Sequence, residues 1–182
     1  MNKIIDKEKY IPRIIDATLE RYLEVMGAVC IEGPKWCGKT WTSSYHCNSE
    51  ILIGNPDNNF QNRTLAEISP AVALEGDTPR LIDEWQEVPS LWDAVRYTVD
   101  QRGEKGQFIL TGSATPKRKG VLHSGAGRIG KLRMRPMSLY ESGDSSGKVS
   151  LQDLCAGKPT LFKTGDVDLH MLARLIVRGG WP

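Results

Sequence analysis

Eight consecutive residues, Gly33-Pro34-Lys35-Trp36-Cys37-Gly38-Lys39-Thr40, satisfy the phosphate-loop pattern G-x-x-x-x-G-K-[ST] at every fixed position. Glycines at both ends, lacking a Cβ, let the backbone turn sharply and bring successive N–H groups onto a polyphosphate. A helix opening at Lys39 adds the positive end of its dipole to the same place. In such a loop Lys39 reaches the β- and γ-phosphates, and the Thr40 hydroxyl takes one coordination position on Mg²⁺. Gly33, Pro34, Lys35, Trp36, Cys37, Gly38, Lys39, Thr40 and the next helical residue, Trp41, are therefore the candidate nucleotide-binding residues.

Binding is not hydrolysis, which needs a second constellation. Leu81-Ile82 ends an apolar run and is followed by Asp83-Glu84, two carboxylates at the C-terminal end of a strand, where open parallel sheets place ligands. Asp83 is the candidate to hold Mg²⁺ through water, the cation keeping it ionised. Glu84 is the candidate acceptor of a proton from the attacking water. A third apolar run ends in Thr111-Gly112-Ser113. Thr111 or Ser113 there can orient the attacking water, or can serve as a turn or cap.

These residues need a scaffold. Residues 27–31 read as a short buried strand before the loop, and residues 39–45 as the start of a helix after it. Upstream, Ile11, Ile14, Ile15, Leu19, Tyr22, Leu23 and Met26 recur near the helical repeat, so a helix is expected over 10–26, with Pro12 in its first turn. Residues 51–53 read as a second strand, 54–59 as a turn and 62–68 as a short helix ended before Pro70. The run 71–74 fits strand or helix equally. Residues 88–102, with Pro89 at the start and Gly103 at the end, predict a helix, and 107–113 a buried strand. A basic, glycine-rich connection follows over 115–127, with Lys117, Arg118 and Lys119. Residues 129–135 alternate apolar and cationic, placing Lys131, Arg133 and Arg135 on one strand face, where water is the usual neighbour and a phosphate a possible one. Residues 142–150 resemble a linker, with helices expected over 151–154 and 168–177.

The chain of 182 residues carries 24 Lys plus Arg against 22 acidic residues. A net charge of +2 gives no general reason for nucleic-acid or membrane binding. The longest apolar runs are far too short to span a bilayer, and the N-terminus lacks the apolar stretch of a signal peptide, so a cytoplasmic protein is expected. Cys30, Cys37, Cys47 and Cys155 stand singly, which suits reduced thiols. No guanine-reading N-K-x-D motif accompanies the loop.

Together, the loop 33–40, Leu-Ile-Asp-Glu-Trp-Gln at 81–86, Phe-Ile-Leu-Thr-Gly-Ser at 108–113 and Ala-Gly-Arg at 126–128 resemble a prokaryotic family of AAA-type P-loop ATPases, over residues 10–181. The resemblance implies a three-layer α/β P-loop NTPase: a five-stranded, mainly parallel sheet with helices on both faces and an additional strand between the phosphate loop and the Asp-Glu strand. It implies an ATPase domain over 1–141, then a linker and the start of a C-terminal region over 142–182 that continues in longer members. ATP and Mg²⁺ are the implied ligands, with Thr111 to Ser113 as sensor strand. Arg128 is the implied arginine finger, acting in trans in a homo-oligomer. The function expected is Mg²⁺-dependent ATP hydrolysis coupled to an unknown macromolecular partner. The rival reading is an ATP-gated protein- or DNA-binding module without significant turnover.

Overall fold

The computed structural model describes residues 6–113, 122–158 and 167–181. Its centre is a five-stranded sheet, built from β1 (Ala28–Gly33), β2 (Ser49–Leu52), β3 (Arg80–Asp83), β4 (Phe108–Ser113) and β5 (Ile129–Arg133). The strand order is β2-β3-β4-β1-β5, and every neighbouring pair is parallel. β4 thus lies between the strand that feeds the phosphate loop and the strand that carries the acid pair. All five strands end on one side, so their C-terminal residues share one edge of the sheet.

The central strands carry unbroken apolar runs, 28–31, 81–82 and 108–110, because both faces are covered there, and their polar residues lie at the strand ends. Successive side chains point to opposite faces. Ala28, Cys30, Ile82, Phe108 and Leu110 meet Leu91, Trp92, Val95 and Val99 of α5 (Ser90–Arg102) on one side. Val29, Ile31, Leu81, Ile109 and Leu132 meet Leu19 of α1 (Asp16–Val25), with Cys37 and Cys47, on the other. α2 (Lys39–His46) connects β1 to β2, and α3 (Asp57–Ile68) and α4 (Pro70–Ala73) connect β2 to β3. The result is a three-layer α/β P-loop NTPase fold of the additional-strand kind.

Several elements differ from expectation. The first helix starts at Asp16, not at Tyr10, and Pro12 lies outside it. Asp16 turns its carboxylate back to accept from the Arg13 amide at 2.8 Å and from the Tyr10 hydroxyl at 2.8 Å, so residues 10–13 run along the loop rather than coiling. The ambiguous run after Pro70 is helical, with Ala73 and Leu74 buried. In α3 regular helix begins only after Asn58, Asn59 and Phe60, all three at positive φ. α5 closes as expected: Gly103 takes φ 68° and its N–H bonds the Val99 carbonyl.

Beyond β5, α6 (Leu151–Cys155) is capped by Ser150 and α7 (Leu169–Arg178) by Asp168. Arg178 pairs with Asp144 at 2.6 Å, and the Met137 amide donates to the Gly180 carbonyl at 2.6 Å, tying α7 to the segment after β5. No helix among the described residues is long and apolar enough to cross a membrane.

Candidate active site

β1 delivers the phosphate loop to the C-terminal edge of the sheet. A Cβ on Gly33 would stand 2.5 Å from the Met134 carbonyl oxygen and 3.0 Å from Cys37 Sγ, so only glycine passes there. Gly38 has φ 99° and opens α2, its carbonyl accepting the Thr42 amide at 3.0 Å. The two bulky residues between them divide. Cys37 is fully buried in the core beneath the loop, whereas Trp36, at φ 64°, stands 74% exposed with Lys35 5.5 Å from its ring centre. Bulk inside the motif is thus sent outward at one position and into the core at the other.

Lys39 is buried, and its Nζ donates to the Gly33 carbonyl at 3.0 Å and the Pro34 carbonyl at 2.9 Å. The ammonium lies across its own loop, where an incoming phosphate would compete with those carbonyls. Beside it, Thr40 Oγ1 donates to Asp83 Oδ1 at 2.9 Å, although 43 residues separate the two in the chain. Thr111 Oγ1 donates to the same oxygen at 2.5 Å and accepts from the Glu84 amide at 3.1 Å. One buried hydroxyl therefore holds both members of the acid pair. Burial pushes the Asp83 carboxyl above its ordinary range, further than the bonds from Thr111 and Thr40 and the charge of Lys39 pull it down.

This donor set fits a magnesium ion. The Thr40 hydroxyl and the Asp83 carboxylate, already hydrogen-bonded to each other at 2.9 Å, are hard oxygen donors of the kind Mg²⁺ takes, Asp83 through water. A buried carboxylate that is costly to ionise is also one that a cation relieves.

Glu84 follows in the left-handed region, φ 58° and ψ 45°, and its carboxylate accepts from the Gln86 side-chain amide. It faces the phosphate loop across a cavity of about 480 Å³ lined also by Lys35, Trp36, Lys39, Thr40 and Trp41. A second, more apolar pocket of about 260 Å³ adjoins it and shares Gly38 and Trp41. Lys9, Tyr10, Ile11, Arg13, Thr42 and Met137 supply its other walls. Tyr10 stacks on Tyr45 with ring centres 4.2 Å apart and shares a 2.9 Å hydrogen bond with Thr42. Burial raises its phenol well above the usual range, so it stays neutral.

Lys39 and Thr40 at the start of α2, Asp83 and Glu84 at the end of β3, and Thr111 of β4 are thus brought together, and Ser113 ends β4 opposite Gly33. Arg128 is not with them. It immediately precedes β5, its carbonyl accepting the Ala28 amide at 3.0 Å, while its guanidinium pairs with Asp100 at 2.8 Å. β1 has six residues, about 17 Å at 3.3 Å per residue, between that end and the phosphate loop. Within one chain Arg128 lies at the opposite end of β1 from the phosphate loop. Of the basic connection, residues 115–121 lie outside the described residues. Lys131, Arg133 and Arg135 are exposed on the edge strand and its extension, with Lys131 5.8 Å from the Trp92 ring centre.

Residue-type reasoning missed several participants. It assigned no site role to Tyr10, Arg13, Gln86 or Met137. Arg13 is buried and bonds the Cys37 carbonyl inside the phosphate loop at 2.7 Å. An arginine directly after Pro12, at the start of the expected helix, is the one local signal.

The sheet order and the loop define a P-loop NTPase. The sequence profile of the AAA domain matches residues 26–143, well over half of the chain, and the chain belongs to that family. It is accordingly an ATP-binding, ATPase-like domain. Uncharacterized proteins of Mycobacterium bovis and Mycobacterium tuberculosis are each 29% identical to it over 138 residues, 71% of this chain and 30% of theirs. The chain thus spans under a third of the length of these curated relatives. The FIGL-1 AAA domain, solved in complex with ADP, is similar with a TM-score of 0.49 and 14% identity, over 96% of this chain and 67% of that one.

Proposed function

We propose that this domain binds ATP with Mg²⁺ and hydrolyses the β–γ phosphoanhydride, using the cycle to change its contacts with another macromolecule in the cytoplasm. One observation carries the reading: a hydroxyl of the phosphate-loop helix and a carboxylate of a separate strand converge at 2.9 Å, beside Lys39 and Glu84. Loop amides and Lys39 would hold the phosphates, and Trp41, Tyr10, Ile11 and Met137 the base and ribose. Thr40 and Asp83 would hold Mg²⁺, whose part is to neutralise charge gathering on the phosphate oxygens. Glu84, released from Gln86, would take the proton of the attacking water. Arg128 would serve a neighbouring subunit's nucleotide.

Glu84→Gln is expected to leave ATP binding intact and to remove Mg²⁺-dependent phosphate release, a loss of about a hundredfold or more for a general base. Undiminished turnover would place the base elsewhere. The Gln86 contact on Glu84 favours a second reading, in which ATP only gates binding of a protein or DNA. That version requires wild-type protein to bind ATP and release no phosphate above background at any protein concentration.

A further inference from the structure

Arg13 makes three side-chain hydrogen bonds to three separate segments. Nη1 donates to the Cys37 carbonyl at 2.7 Å, Nη2 to the Arg135 carbonyl at 2.9 Å, and Nε to Glu141 Oε1 at 2.9 Å. The pair is dry, its side chains 4% and 7% exposed. Glu141 is filled on both oxygens: Oε1 also accepts the Ile14 amide at 2.8 Å, and Oε2 accepts the Ser138 amide at 2.7 Å and hydroxyl at 2.9 Å. Burial alone would push its carboxyl up, but the bonds from Ser138, Ile14 and Arg13 outweigh that and hold it below its ordinary range, so it is ionised.

A buried ion pair is by itself weak evidence for stability, and what this one grips suggests another role. The Cys37 carbonyl belongs to the peptide whose other end is the Gly38 N–H. A trans peptide is planar, with C=O and N–H pointing opposite ways, so fixing the oxygen on the outer side of the loop turns the N–H to the inner side. Gly38 lines both the phosphate cavity and the adjoining pocket. This peptide can turn over at little steric cost on its Gly38 side, because glycine accepts either sign of φ. Turned over, it would present a carbonyl lone pair to the phosphates in place of a donor.

We propose that Arg13 is a positioning residue for the phosphate loop: by holding the Cys37 carbonyl it aims the Gly38 N–H at the phosphates, and through Glu141 and Arg135 it makes that aim depend on the segment after β5. The proposal rests on the nucleotide-binding reading above. The charge also polarises the peptide and strengthens the Gly38 donor. Lysine offers one ammonium where the guanidinium offers a planar fork, so it cannot serve all three acceptors with the same geometry.

The test uses the full chain. Arg13→Ala strands a buried carboxylate, so the informative variant is the double replacement R13M/E141L, which removes both charges together. Folded protein of that kind is expected to bind ADP about ten to a hundred times more weakly than wild type, with turnover at saturating ATP falling less than the apparent ATP affinity. Arg13→Lys should fall between. In nucleotide-free protein, the residual dipolar coupling of the Gly38 N–H should change in both variants, reporting a reoriented peptide. ADP affinity within about twofold of wild type in the folded double variant, with that coupling unchanged, overturns the proposal. If the double variant does not fold, Arg13→Lys decides by the same two readings. Wild-type protein that binds no ADP sinks the nucleotide-binding reading instead, and the Gly38 coupling still reports on Arg13.

Discussion

Thr111 is where a single hydroxyl carries the most. Replacing it by valine keeps the shape and removes two bonds, the 2.5 Å donation to Asp83 and the 3.1 Å acceptance from the Glu84 amide. Thr111 is 1% exposed, so water does not readily replace the lost group. A bond to a charged acceptor contributes about 1.5–3 kcal/mol and a neutral one about 0.5–1.5, and the gain from a buried methyl offsets part of their sum, leaving a loss of about 2–3 kcal/mol. For a domain of this size that is a fall in Tm of about 5–10 °C. The same bond holds Glu84 in the left-handed region at φ 58°, a conformation that costs about 1 kcal/mol or more and persists only while the surroundings impose it. Freed from it, the candidate base can drift, and a displacement of about 1 Å can cost on the order of a hundredfold in kcat. Thr111→Ser keeps the hydroxyl and should recover most of both losses. The assays are thermal unfolding by circular dichroism without nucleotide and steady-state phosphate release. A Thr111→Val protein melting within about 1 °C of wild type with full turnover would refute the assignment of this hydroxyl as the tie between the two acids.

Asp83 predicts a trade of stability for function. Its raised folded-state pKa means the folded chain holds that proton more tightly than the unfolded chain, so stability falls as pH rises from the unfolded carboxylate range through the folded value. Asp83→Asn should therefore raise Tm at pH 7.5 without Mg²⁺, with the gain shrinking as pH is lowered through that window, and should abolish Mg²⁺-dependent turnover; a variant that melts no higher than wild type contradicts it. In wild-type protein Mg²⁺ affinity should weaken as pH falls through the same window, since the ligand must lose its proton. Arg128, on the far end of β1 and paired with Asp100, should affect turnover only between subunits. Arg128→Ala and Lys39→Ala, each inactive alone, should regain activity on mixing if it acts in trans, and no recovery from proteins shown to associate excludes that role.

Much of this domain is legible in a linear reading because its cause is local. A phosphate loop needs glycines at fixed offsets between a strand and a helix, and residues 33–40 supply them. Strands covered on both faces carry unbroken apolar runs, which is why 81–82 and 108–110 stand out, each followed by the polar residues that reach the site. Gly103 ends α5 by a backbone requirement within one turn. What the chain order hides is whatever depends on strands meeting across the sheet. The Arg13–Glu141 pair spans 128 residues, and nothing near Arg13 tells an ion-paired buried arginine from a solvated one. The start of α1 moved because Asp16 spends its carboxylate on Arg13 and Tyr10, a competition that helical periodicity does not register. The order β2-β3-β4-β1-β5 decides that Thr111 stands between the two acids and that Arg128 lies at the opposite edge from the loop. Residue types determined which groups can bind phosphate, hold a cation or move a proton; parallel pairing of the strands determined which of them share one cavity, because it carries their C-terminal ends to the same edge.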